Sequence, residues 1–61
     1  MFKVEFTTGG SAFRDEDGYD SSNHEVRRIL RVISEKLENG YTKDIIMDIN
    51  GNKVGEWKLD V

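Results

Sequence analysis

The sequence predicts an α+β fold: a small antiparallel sheet of three to four strands packed on one helix, in the order β-(β)-α-β-β. Three stretches predict it. Residues 2–8, FKVEFTT, alternate apolar and polar, the period of a half-buried strand. Val26, Ile29, Leu30, Ile33 and Leu37 stand at helical spacing and make one continuous stripe. Residues 42–49 and 52–60 flank Asn50-Gly51, a hairpin signal. With 61 residues the chain is expected to be one small domain, residues 1–61.

Each element can be justified in turn. In the first strand Phe2, Val4 and Phe6 fall on one face, and Lys3, Glu5 and Thr7 on the other. Gly9-Gly10 suits a tight turn, after which Ser11–Arg14 is expected to return as a short second strand. Residues 15–21, DEDGYDS, are polar and acidic and read as a loop. Ser22-Asn23-His24-Glu25 matches a capping box, in which Ser22 accepts from the N–H of Glu25 and Glu25 reaches back to Ser22. Along the helix that follows, Arg27, Arg28, Arg31 and Glu35 point away from the stripe. Asn39-Gly40 ends it, with glycine able to take the left-handed conformation.

The closing hairpin poses a question of register. A two-residue Asn-Gly loop would pair Ile46 with Gly55 and set Trp57 on one face with Asp44 and Ile46. A three-residue loop would gather Ile45, Met47, Trp57 and Leu59 with Gly55. Register follows the hydrophobic pattern wherever one face is buried, so a three-residue connection is expected, a type I turn followed by a left-handed residue. The expected core is then Phe2, Val4, Phe6, Val26, Ile29, Leu30, Ile33, Leu37, Ile45, Met47, Trp57 and Leu59. Gly55 is expected to leave room for the helix or a bulky neighbour. Asp48, Asn50 and Asn52 could be oxygen ligands, but the spacing from Asp48 puts Lys53 and Leu59 where an EF-hand needs glycine and glutamate. A turn is expected there, and no metal.

Composition narrows the function. A chain this short buries only roughly 60% of its unfolded surface and usually needs disulfides, a metal or self-association. With no cysteine and one histidine, self-association is the common route left, and a tightly packed monomer is the alternative. The net charge of −3 does not supply the basic footprint of a nucleic-acid binder. Lys3 and Glu5 interrupt the N-terminus before an apolar run forms, so no signal peptide is expected. No stretch is apolar enough to span a membrane, and the bacterial cytoplasm is the expected location. An enzyme is not expected: the sole histidine, His24, sits in a helix cap, and there is no phosphate loop. No catalytic residue and no cofactor are assigned.

The candidate contact residues are four groups. Asp15, Asp17, Tyr19 and Asp20, supported by Phe13, form an acidic segment around an aromatic side chain, the makeup of an interface anchor; a solvated loop is the plainer reading. Arg27, Arg28 and Arg31 could contact phosphates, meet a protein, or simply stay solvated. Ile46 and Val54 are left over if the helix covers one sheet face, and they are expected to form a homodimer surface on the other. Trp57 or Tyr41 with an arginine could line a nucleotide site between subunits.

The distributed motifs TTGGSAF, RRILRVI and DINGNKVGEW resemble a group of small phage- and prophage-encoded proteins of about this length. Those share an N-terminal strand, a D/G-x-A-F step, a helix with ILR and a closing D-x-N-G-N-x-V-G-x-W hairpin. The acidic segment RDEDGYDSSN is longer here than in the group's pattern. The resemblance implies a small accessory protein that binds and modulates a host protein, with inhibition of a bacterial antiphage defence system as the expected role. The alternatives are a nucleic-acid-associated regulator acting through the arginine face, and a nucleotide-binding sponge.

Overall fold

A computed structural model describes residues 1–14 and 22–60, with the side chain of Ser22 left aside. The elements are β1 (Phe2–Phe6), a single 3-10 turn (Ser11–Phe13), α1 (Ser22–Glu38), β2 (Lys43–Met47) and β3 (Lys53–Leu59). The three strands form one antiparallel sheet in the order β1-β3-β2. The α+β class and the single helix on a small antiparallel sheet are as expected. The second strand is not: Ser11–Phe13 winds into the 3-10 turn, with the N–H of Phe13 donating to Gly10 O at 3.1 Å and that of Arg14 to Ser11 O at 3.1 Å. Arg14, the residue after the turn, makes an isolated β-bridge.

The turn replaces the strand because it places Phe13 in the core, where the side chain is completely buried. Its ring stacks on Phe6 with centroids 6.4 Å apart. Ile29, Ile33, Ile46 and Trp57 complete the buried cluster, and Val4, Phe6, Ala12, Val26, Leu37 and Val54 pack around it. The helix stripe is narrower than its spacing suggested, since Leu30 lies outside it and is 48% exposed. At the other end α1 closes as expected. Gly40 sits at φ 90°, the N–H of Tyr41 reaches Lys36 O at 3.0 Å and that of Gly40 reaches Leu37 O at 3.1 Å. This is a Schellman motif.

The hairpin combines the expected loop with a different register. The N–H of Asp48 donates to Asn52 O at 2.9 Å and that of Gly51 to Asp48 O at 3.0 Å, with Gly51 at φ 84°. Ile49, Asn50 and Gly51 are therefore the three connecting residues, a type I turn followed by a left-handed glycine. Met47 pairs with Lys53, as that loop requires, yet Ile46 pairs with Gly55. Val54 is thus an extra residue on β3, a β-bulge, and a bulge moves everything beyond it by one position. Asp44 and Ile46 now share the helix-covered face with Trp57. Ile45 and Met47 lie on the opposite face, 45% and 49% exposed. The expected burial of Ile45 and Met47 is corrected accordingly.

Gly55 is required at this point. A Cβ there would collide with the Glu5 carbonyl oxygen and stand 2.6 Å from Phe6 Cβ. The close neighbour is the backbone of β1, not the helix.

Candidate functional site

Three polar and apolar constellations surround this frame. The first ties the start of α1 to the hairpin turn. Glu25, almost fully buried, accepts from Arg28 Nε at 2.6 Å and Nη2 at 3.1 Å, one helical turn on. Its Oε2 also accepts the N–H of Ile49 at 2.8 Å. Arg28 Nη2 in turn donates to Met47 O at 3.0 Å. The Arg28 guanidinium holds the Glu25 carboxyl below its ordinary range, helped by the Ile49 N–H and opposed by burial. The same hydrogen bond raises Arg28 further. Asp48 works within the turn: its Oδ1 accepts from the N–H of Asn50 at 3.0 Å and of Asn52 at 2.9 Å. Those backbone donors, Asn52 first, lower its pKa. The Asp48 carboxylate closes the turn, an Asx arrangement.

The second constellation is a groove of about 210 Å³ between α1 and β2, whose floor and walls include Val32, Ile45 and Met47. Val32 is 37% and Ile49, at the tip of the turn, 67% exposed. Arg28 and Lys36 stand at its rim, and Lys36 pairs with Asp44. That ion pair is the first cause of a lowered Asp44 pKa, and the Ile45 N–H, donating to Asp44 Oδ1 at 2.7 Å, is the second. Asp44 and Arg28 thereby occupy two backbone groups of the β2 edge, one device by which edge strands are blunted.

The third is the helix-free face of the sheet, a shallow depression of about 560 Å³ lined by Lys3, Glu5, Lys43, Ile45, Glu56 and Lys58 among others. All six of these side chains are exposed.

The sequence-derived candidates fall unevenly on these surfaces. Asp15, Asp17, Tyr19 and Asp20 lie outside the described residues. Phe13 is core and is withdrawn from the contact set, because its ring fills the space between β1 and α1. Ile46 is buried and Val54 half-buried against the core, so neither forms a free dimer surface; the bulge turns both away from the open face. Of the three arginines, Arg27 and Arg31 are exposed, while Arg28 is held by Glu25 and Met47 O. The arginines therefore do not form one free row. Trp57 is buried and Tyr41 half exposed, below the Lys36 ammonium at 5.7 Å, so an indole stacking on a nucleotide is not available. His24 is exposed.

What sequence reasoning passed over is the pairing of Glu25 with Arg28, the closing of the turn by the Asp48 carboxylate, and the charged sheet face. The first carried a signal, an opposite-charge pair at i, i+3. Among the described residues no three His, Cys, Asp or Glu side chains converge as metal ligands, and no helix is long and apolar enough to cross a membrane. No protein-family model matches the chain, and no curated protein or solved structure matches it either.

Proposed function

We propose that this chain is a non-enzymatic interaction protein that binds and modulates a bacterial host protein. The finer reading is that of a small phage-type accessory protein whose target belongs to an antiphage defence system. The observation that carries the coarser reading is the exposed apolar surface of Val32, Ile45 and Met47 along the groove, with exposed Ile49 in the adjoining turn, beside charged rims on a chain with a small core. Contiguous exposed apolar surface edged by polar groups marks interaction sites. The resemblance of TTGGSAF, RRILRVI and DINGNKVGEW to small phage and prophage proteins supports the finer one. The target on this reading presents an apolar segment to the groove between α1 and β2, and the acidic segment 15–20 adds contacts to a basic neighbour.

Phage plating on strains that each carry one defence system tests this. Expression of the chain restores plating on at least one such strain, and Val32→Asp with Ile49→Asp abolishes the rescue while the circular dichroism spectrum is retained. Failure to rescue any strain removes the defence reading. Rescue that survives the double variant removes the groove.

A further inference from the structure

The helix-free face of the sheet sorts its charges into rows. Lys3, Lys58 and Lys43 lie directly opposite one another across β1, β3 and β2. The next row along the strands is Glu5, Glu56 and Ile45. Like charges directly opposite each other across strands are destabilising. Among the described residues the compensation for these rows runs along the strands, from Lys3 to Glu5 at 3.5 Å and from Lys58 to Asp60 at 3.3 Å. These side chains are all more than 60% exposed, and such pairs contribute little.

We infer that this face joins two copies of the chain, sheet against sheet, about a two-fold axis that crosses the strands between the lysine row and the glutamate row. That operation lays each strand over its own copy, running the opposite way. Lys3 then faces Glu5 of the second copy, Lys58 faces Glu56, and the Lys43 stem covers Ile45. One row further out Asp60, paired with Met1 at the strand ends, comes over Lys53. Every contact occurs twice, as an isologous interface requires. Stacked sheets lie about 10 Å apart, a gap that lysine and glutamate side chains bridge from both sides.

The charge order also fixes the register. Successive rows on one face are about 7 Å apart, and sliding one copy by a row sets lysine on lysine and glutamate on glutamate. Like-charge contact of that kind excludes the wrong arrangement. The face is small against the roughly 800 Å² per partner of a standard interface, so the dimer is weak and sensitive to salt. The face shares Ile45 with the groove, but the plating experiment alters Val32 and Ile49, which do not line it, so either reading can fail alone.

Light scattering after size exclusion, over a dilution series of the full chain, tests the inference. At high concentration and low salt the mass is twice 7.0 kDa. Raising salt from about 50 mM to about 500 mM, which cuts the screening length severalfold, weakens the dissociation constant at least tenfold. Glu56→Lys gives a monomer, because lysine then meets Lys58 across the axis. Adding Lys58→Glu restores opposite signs and the dimer. The inference is overturned by a wild-type chain that stays monomeric throughout, by a dimer indifferent to Glu56→Lys, or by a charge swap that behaves like the single reversal.

Discussion

A methyl group at Gly55 would occupy space that the β1 backbone already fills, at the Glu5 carbonyl and Phe6. Backbone cannot swing aside as a side-chain tip can, so Gly55→Ala pushes β1 off β3. Overpacking of this kind costs about 3 kcal/mol, a large part of the about 3–9 kcal/mol expected of a chain this size. Gly9→Ala is the control, since a Cβ there meets nothing within 4 Å and its effect stays within about 0.5 kcal/mol. Urea titrations of the two variants should differ accordingly; equal midpoints would mean that β1 is not packed against Gly55. Glu25 is the second single residue with a disproportionate effect. Removing one partner of a fully buried pair costs about 3–5 kcal/mol. Arg28 keeps a third of its side chain exposed, so Glu25→Ala is expected to cost about 2 kcal/mol. Arg28→Ala should match it when combined in a double-mutant cycle, with a clearly non-additive sum. Sequence pattern placed Glu25 in a capping box with Ser22, whereas the partners its carboxylate takes are Arg28 and the Ile49 N–H. The Ile49 N–H that shares it is 24 residues away and has no local signature.

At the scale of elements, what could be read from the chain and what could not follow one line. Local devices were legible: the period-2 alternation of β1, the stripe of α1, the left-handed Gly40 and the three-residue loop ending on Gly51. Each is fixed by interactions within a few residues. The pairing register was not. Ile45, Ile46 and Met47 are three consecutive apolar residues, so either face of β2 can be buried at similar hydrophobic gain. The bulge at Val54 decides between them, and it depends on how closely Gly55 lets β1 approach. Phe13 was misjudged for a similar reason, because a lone aromatic outside any periodic stretch carries no face assignment. The register makes a sharp mutational expectation. Ile46→Ala opens a cavity in the core and costs about 3 kcal/mol, whereas Ile45→Ala, one residue away and half exposed, costs under about 1 kcal/mol. Guanidinium unfolding of both variants decides it, and a reversal of that order would mean that β2 pairs without the bulge.

Across the whole molecule, acid should act on the ties between elements before it acts on the core. Three carboxyls are held below their ordinary values of 4.5 for Glu25 and 3.8 for Asp44 and Asp48. Glu25 joins α1 to the turn, Asp44 joins β2 to the end of α1 through Lys36, and Asp48 closes the hairpin. In the unfolded chain these groups take up protons at their ordinary values; in the folded one they do so only at lower pH. Over that interval the unfolded state binds more protons, so lowering the pH favours unfolding. The stabilisation is therefore complete at neutral pH, unchanged down to about pH 5, and lost as the pH falls through 4.5 and 3.8 towards the folded-state values. Acid also neutralises and then reverses the net charge of −3, which alters long-range repulsion without regard to position. Glu25→Gln separates the two effects, because it removes one lowered carboxyl and changes the total charge by a single unit. Its urea midpoint should be lower than wild type at pH 7, and the two should converge as the pH drops from 5 to 3. Parallel curves over that range would mean that Glu25 titrates alike in both states, and that the ionised carboxylate is not what makes the tie between α1 and the hairpin turn stabilising.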